Sequence, residues 1–235
     1  MGETANTGIM DNLTTAMDDA VAALDTYKEA ARKKLALTLA PEGKPDRKAF
    51  ETHQHIAHGF AWIVTYIETL RETANWAARL KAEGKFGEIE ALLSQILFGE
   101  YCAQLRGGIP MNQGEMVRPA ELGLGQDEID LLNGPAITRV IEHGRTPSGM
   151  AAAARLLPET LGQATVENTG LDETLGMVRD QFRRYAEDKI VPHAHEWHLK
   201  NEYIPMDVVN EMAELGVFGL TIPEEYGGFG MGKTA

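Results

Sequence analysis

The sequence predicts an all-α protein in two parts: a helical bundle over residues 1–157 and a smaller helical segment over 171–235, joined by a connector at 158–170. Apolar residues recur at three- and four-residue steps through every long segment, the mark of a helix with one buried stripe. The breaks between the first three stripes are short, which suits antiparallel neighbours in a bundle. Between Pro158 and Gly170 large apolar residues are few, so the chain there reads as a link rather than a packed element.

After a loose start over residues 1 to about 10, Leu13, Met17, Ala20/Val21, Leu24, Tyr27, Ala31 and Leu35 define the first helix, closed by Ala40-Pro41-Glu42-Gly43. Asp46 is placed to cap a second and longest helix, whose apolar positions run from Phe50 through Phe60, Val64, Ile67 and Leu70 to Ala78 before Gly84. A third starts near Phe86 or Gly87 and carries Ile89, Leu92/Leu93, Ile96/Leu97, Tyr101 and Leu105 to the Gly107-Gly108 stop. Pro110, Gly114, Pro119, Gly123 and Gly125 make 109–126 an ordered loop rather than a helix, and shorter helices are expected at about 127–133, 136–143 and 149–157.

In the last part, Leu171, Leu175, Val178, Phe182, Tyr185 and Lys189/Ile190 form one helical stripe, with Asp172 and Glu173 supplying negative charge at its start. Pro192 lacks the donor an interior position needs, so a stop or kink is expected near Val191. Pro205 opens another helix with Val208, Val209, Met212 and Leu215 on its buried face and Gly216 at the left-handed cap. Phe218, Leu220 and Ile222 then alternate with smaller residues as an extended run up to Pro223, followed by the glycine-rich stretch Gly227, Gly228, Gly230 and Gly232.

The succession IVPHAHEW, AELGVFGL and TIPEEYGGFGMG resembles the amino-terminal helical domain of flavin-dependent acyl-CoA dehydrogenases, over roughly the last quarter of the chain. The fold class is therefore a helical bundle extension followed by the start of that domain, incomplete at Ala235. A long helical region ahead of the domain is unusual for the family and is similar to the extension of those members that oxidise methylsuccinyl-CoA to mesaconyl-CoA. The resemblance implies FAD as cofactor, an acyl-CoA substrate, an electron-transfer flavoprotein as partner and a homo-oligomer. It also implies a glutamate base that lies beyond Ala235, so that neither a catalytic nor a cofactor-binding residue is assigned within this chain. Tyr226, Gly227, Gly228, Phe229 and Gly230 are the candidate pocket-adjacent loop. Short- or branched-chain acyl-CoA oxidation is the alternative, and for this chain alone, expected to be colourless and inactive, a non-catalytic helical assembly module.

Composition narrows the classes further. A formal net charge of −13 supplies no positive field for a phosphate backbone, so nucleic acid is not an expected partner. The single cysteine, Cys102, excludes an internal disulfide and fits a reducing compartment; with no signal segment and no apolar window of about 18 residues, a soluble cytoplasmic protein without a membrane span is expected.

Several patterns imitate chemistry. Gly227, four residues on Gly232, then Lys233-Thr234 satisfies the phosphate-binding loop pattern, but no helix follows to present its amides. His55 and His58 share a helix face beside His53, two ligands where a closed metal site needs more, and His193, His195 and His198 miss the zinc-protease spacing, so no metal is assigned. Glu224-Glu225, Asp18-Asp19 and Glu88/Glu90 read as solvated acidic surface, and Cys102 as a small hydrophobe on the apolar face of the third helix. Arg106-Gly107-Gly108, Asn112-Gln113-Gly114 and Arg118 form the most polar irregular patch, for which a plain interhelical loop is favoured over a ligand surface.

Overall fold

Asn12, left-handed at φ 53° and ψ 40°, turns the chain into the first long helix, α1 (Leu13–Leu39). The computed structural model describes residues 8–160 and 169–235, and the chain divides into two compact units, Met1–Thr169 and Gly170–Ala235. After α1 come α2 (Arg47–Thr52), α3 (Gln54–Ala82) and α4 (Glu88–Gly107), then a hairpin of β1 (Ile109–Asn112) and β2 (Glu115–Val117). The first unit continues with α5 (Gln126–Asp130), α6 (Pro135–Gly144) and α7 (Pro147–Leu156). All-α architecture therefore holds for the described residues, with one small two-stranded sheet.

The three- and four-residue stripes become the core of the first unit. Met17, Ala20, Leu24, Tyr27 and Ala31 of α1 meet Ile63, Ile67, Leu70 and Ala77 of α3, while Phe98, Cys102 and Leu105 of α4 join Ile137 and Val140 of α6. Helix α1 packs on α3 and α6, and α4 packs on α6, α3 and α7. Truncating any one of the large buried side chains to alanine costs about 2–5 kcal/mol, because the cavity left closes only in part. Helix α4 meets α6 at Gly99 and Gly144. A Cβ on Gly99 would lie 2.8 Å from the Gly144 Cα, and one on Gly144 would lie 2.5 Å from the Gly99 Cα. Both obstacles are backbone, so even alanine there forces the helices apart.

Four expectations of secondary structure are corrected or sharpened, and Glu90, expected on solvated acidic surface, is buried with its carboxylate accepting from the Gly87 amide at 3.1 Å. The helix expected from Asp46 onward is broken at His53 (φ −117°, ψ 39°), although Asp46 does cap α2 by accepting from the Ala49 amide at 2.6 Å. Immediately before the break the Thr52 hydroxyl donates to the Lys48 carbonyl at 2.8 Å, as Thr65, Thr69 and Thr73 do to their own i−4 carbonyls within the unbroken α3. The expected loop at 109–126 contains the β1–β2 hairpin, which pairs Ile109 with Val117, Pro110 with Met116 and, beyond a bulge, Asn112 with Glu115. Strands of four and three residues are too short to show a period of two, and Pro110 and Gly114 mask them further.

In the second unit, Pro192 does not end the helix. Helix α8 (Glu173–Tyr185) runs through a π-helical turn, Ala186–Ile190, directly into α9 (Val191–Lys200). The Val191 amide donates to the Ala186 carbonyl five residues back, and this wider turn takes up the proline ring where an α-helix would clash. Helix α10 (Met206–Glu214) follows Pro205 as expected. The run 217–222 is not extended: Gly216, left-handed at φ 82°, sends Val217–Gly219 into a 3-10 turn, and Ile222 N donates to the Gly219 carbonyl at 3.2 Å. Glycine's freedom at positive φ overrides the alternation. Of the expected connector, residues 161–168 lie outside the described residues.

Outside the core, Asp25 and Lys28 of α1 interlock with Glu68 and Arg71 of α3. Lys28 pairs with Asp25 at 3.0 Å and Glu68 at 2.7 Å, and Arg71 pairs with Glu68 at 2.9 Å and with Asp25. Partial burial pushes the Asp25 carboxyl up, but hydrogen bonds from Arg71 and Lys28 outweigh it and leave the group below its usual range. The Lys28 hydrogen bond holds Glu68 down likewise. Folded-state values depressed in this way stabilise the protein above the unfolded carboxylate range, about pH 4, and that stabilisation is lost as pH falls through the lowered values. Asp25→Asn is expected to cost about 1 kcal/mol or less at neutral pH, since the quartet is partly solvated. The deficit against the parent in urea unfolding should shrink steadily below about pH 4; a deficit unchanged by pH would show that the charges contribute nothing.

Candidate functional site

The glycine-rich end of the second unit is built by turns. A 3-10 turn at Glu224–Tyr226 leads to Gly227 at φ 82°, and the chain then folds back on the preceding segment. Phe229 N donates to the Gly219 carbonyl at 3.0 Å, Gly230 N to Ile222 at 2.8 Å and Met231 N to Leu220 at 2.8 Å. Gly228 admits no side chain, because a Cβ would lie 2.1 Å from the Ile222 oxygen. The Phe229 ring packs on Gly216, where a Cβ would lie 2.6 Å from its Cε2.

Of the candidate loop residues, Tyr226 and Phe229 stand 76% and 57% exposed, so the loop presents two rings on a backbone fixed from below. Its amides are already used. Gly227 N donates to Glu224 and Gly228 N to Pro223, so with the three bonds above every amide from Gly227 to Met231 points at protein. A phosphate-binding loop works by leaving such amides free. The amides of Gly227 to Met231 are therefore not available to a phosphate or to the pyrophosphate of a dinucleotide, and what this stretch offers a ligand is aromatic surface. Glu224 and Glu225 are exposed.

The rest of this unit is a frame for that loop. Asp172 caps α8 by accepting from the Leu175 amide at 2.8 Å, and the Tyr185 hydroxyl donates to the Val208 carbonyl at 3.1 Å, joining α8 to α10. His193 stacks on Trp197 at 5.7 Å between centroids, within α9 rather than at a frayed end. No described residue of this unit is buried, and Val208, Val209, Met212 and Leu215 are only half-covered. Leu199, Tyr203, Ile204 and Met206 are exposed.

In the first unit the other candidates separate. His58 accepts from the Trp62 indole at 2.9 Å. With His55, Phe50, Glu51, Gln54, Ala57 and Glu115 it lines an open cleft of about 740 Å³. Among the described residues no group of three His, Cys, Asp or Glu is placed to hold a metal ion. Arg106 donates to the Leu132 carbonyl at 3.0 Å and the Thr138 hydroxyl at 2.7 Å, tying α4 to the entry of α6. Asn112 accepts from the Gly114 amide at 2.9 Å and shapes the hairpin tip, while Arg118 pairs with Glu121 at 2.9 Å. These polar residues hold loops in place. Cys102 is fully buried, and desolvation pushes its thiol up to about 12. A polar residue that sequence reasoning missed is Gln95, fully buried among the apolar positions of α4. Its spacing from Leu92 and Gly99 already placed it on the buried stripe.

Residues 172–235 match the family described as acyl-CoA dehydrogenase, N-terminal domain. The chain is 46% identical over 227 residues to (2S)-methylsuccinyl-CoA dehydrogenase of Cereibacter sphaeroides, covering 97% of this chain and 41% of that protein. Glutaryl-CoA dehydrogenase of Desulfococcus multivorans is 44% identical over 61 residues, covering 26% of this chain and 16% of that one. Isovaleryl-CoA dehydrogenase of Oryza sativa subsp. japonica is 33% identical over 94 residues, 35% and 23% of the respective chains. The chain thus spans well under half the length of these relatives, and only the first of the three alignments runs through the bundle as well as the second unit. The resemblance carried by IVPHAHEW, AELGVFGL and TIPEEYGGFGMG holds at the level of a domain: residues 172–235 match the acyl-CoA dehydrogenase N-terminal domain. Among the described residues no helix is long and apolar enough to cross a membrane.

Burial and a raised thiol make Cys102 a packing residue. In the folded protein a disulfide reagent at pH 8 should modify it only as fast as the bundle opens, and in denaturant at once. Rapid stoichiometric labelling of the native protein would contradict its placement.

Proposed function

We propose that the complete polypeptide is an FAD-dependent acyl-CoA dehydrogenase that oxidises methylsuccinyl-CoA to mesaconyl-CoA. The observation that carries this is the 46% identity extending over 97% of the chain, and so through the bundle, where the glutaryl-CoA alignment spans 61 residues in all. In this reaction a carboxylate base removes the proton α to the thioester, and FAD supplies the two-electron chemistry that no side chain offers, by accepting the β-hydride. An electron-transfer flavoprotein is the proposed acceptor of those electrons, and a reducing compartment, the cytoplasm, the proposed location, in keeping with one buried thiol.

This chain's share is positioning rather than chemistry. The loop Tyr226–Gly230 borders the acyl-CoA pocket in this reading, supported by its hydrogen-bonded backbone and exposed aromatic residues. The base and the flavin contacts belong to the rest of the polypeptide, as do the surfaces that cover Leu199, Tyr203, Ile204 and Met206. Residues 1–157 are the bundle domain, 158–170 the connector and 171–235 the incomplete dehydrogenase domain. The bundle is an assembly module of a homo-oligomer: its core is closed by its own helices and, among the described residues, holds no metal-binding group.

The far carboxylate of methylsuccinyl-CoA needs a cation or several donors in the complete pocket, because an unpaired buried charge costs several kcal/mol. Short- or branched-chain acyl-CoA oxidation is the second reading, favoured by the isovaleryl-CoA relative. The complete protein, assayed with methylsuccinyl-CoA, butyryl-CoA and isobutyryl-CoA and an artificial electron acceptor, should show the highest kcat/KM for the first. A preference of tenfold or more for a monocarboxylic substrate, about 1.4 kcal/mol in transition-state binding, would favour the second reading. Removing residues 1–160 from the same protein should change its mass by light scattering; an unchanged mass would refute the assembly role.

A further inference from the structure

The chain ahead of α1 is not a loose end from residue 8 onward. Gly8, Ile9 and Met10 lie against α4, α6 and α7, and Gln95 of α4 reads their backbone. Its Oε1 accepts from the Met10 amide at 2.6 Å, and its Nε2 donates to the Gly8 carbonyl at 2.8 Å. One carboxamide therefore presents an acceptor and a donor to the N–H and C=O that flank Ile9, the pair that a neighbouring strand would offer an extended segment. The same Nε2 approaches the Gly144 carbonyl at 3.3 Å, which fixes the amide's orientation from the other side.

Side chains complete the fit. Gly8 adopts φ +72°, and a Cβ there would lie 2.6 Å from the Gly149 amide nitrogen of α7, so the position accepts glycine alone. Ile9 packs on both the main core and the smaller cluster of Leu92, Ala152 and Ala153, and Met10 on the main core. Arg139 of α6 donates to the Asp11 carbonyl at 2.8 Å, and Asn12 then turns the chain into α1. Only Gln95 among the residues of this contact is a fully buried polar side chain. Its retention on an otherwise apolar stripe has a cost that the contacts with Gly8 and Met10 offset.

We infer that the groove between α4, α6 and α7 is a peptide-binding site, occupied in cis by residues 8–11 as a strap that opens and closes without unfolding the bundle. The ligand class is an extended segment of glycine followed by two apolar residues, and the occupant is the chain's own segment. Leaving the groove breaks the Gln95 and Arg139 bonds together with the strap's other contacts and withdraws the side chains of Ile9 and Met10, whereas the α1, α3 and α4 core is held by many large buried side chains.

Native-state hydrogen exchange on the complete chain tests this. The Met10 amide should exchange through an opening well separated from that of Ile67, and Gln95→Leu should accelerate Met10 by about tenfold or more while leaving Ile67 within about twofold. In Gly8→Val, where the strap is expelled, the pentapeptide Gly-Ile-Met-Asp-Asn added in trans should shift the Gln95 side-chain amide resonances in a saturable way. A pentapeptide with valine in place of its glycine should not. Met10 and Ile67 exchanging together in the parent, or acceleration of both alike in Gln95→Leu, would make the segment an ordinary part of the core and overturn the proposal. Failure of the glycine pentapeptide to shift those resonances in Gly8→Val would overturn the peptide site itself.

Discussion

The contact of two backbones at Gly99 and Gly144 sets the arrangement of the first unit. Where α4 and α6 cross, any Cβ would strike main chain, so the helices lie as close as glycine permits. Relieving such a clash by shifting packed helices costs about 1–3 kcal/mol. Close approach at that point brings the Gly144 carbonyl to within reach of Gln95, one turn earlier on α4. It also places α7 where Gly149 meets Gly8. The bundle's first helix is thereby anchored twice, by its own apolar stripe against α3 and by the segment ahead of it against α4, α6 and α7.

The second unit is organised by the opposite economy. It has no buried residue of its own, and its order comes from local hydrogen bonds: a cap at Asp172, a π-turn that accepts Pro192, and a glycine-rich stretch whose Gly227 to Met231 amides return to the segment before it. Such a loop is stiff without being enclosed. It holds Tyr226 outward and the Phe229 ring laid on Gly216 while still largely exposed, which suits a surface that receives another group and does not suit one that grips phosphate.

Much of the fold was legible in the residues. The stripe Met17, Leu24, Tyr27 and Ala31 is the buried face of α1, Asp46 and Asp172 cap where their side chains allow, and Gly216 takes the left-handed cap. Cys102 is buried as its register implies. The hairpin was hidden, because strands of this length carry no periodic signal and pair only through partners set by the fold. At Pro192 the residues left a stop or a kink open, and the helix is interrupted there without stopping. A proline forbids the α-turn before it, but whether the chain breaks or widens by one residue is decided by what the helix on either side gains by continuing.

What the sequence by itself determined is local and periodic: which faces are apolar, where most helices begin, and that Gly216 takes a left-handed cap. Those properties depend on neighbours within about one or two turns, and a linear string contains them. The order IVPHAHEW, AELGVFGL and TIPEEYGGFGMG also fixed the family resemblance. Only the tertiary structure decided that the amides of Gly227 to Met231 are consumed, that Phe218, Leu220 and Ile222 follow turns rather than a strand, and that Gln95 clasps Gly8 and Met10 from 87 and 85 residues away. Each is a choice of hydrogen-bond partner. Every backbone amide must find one when water is excluded, and which group is within 3 Å of it is set by how distant segments pack.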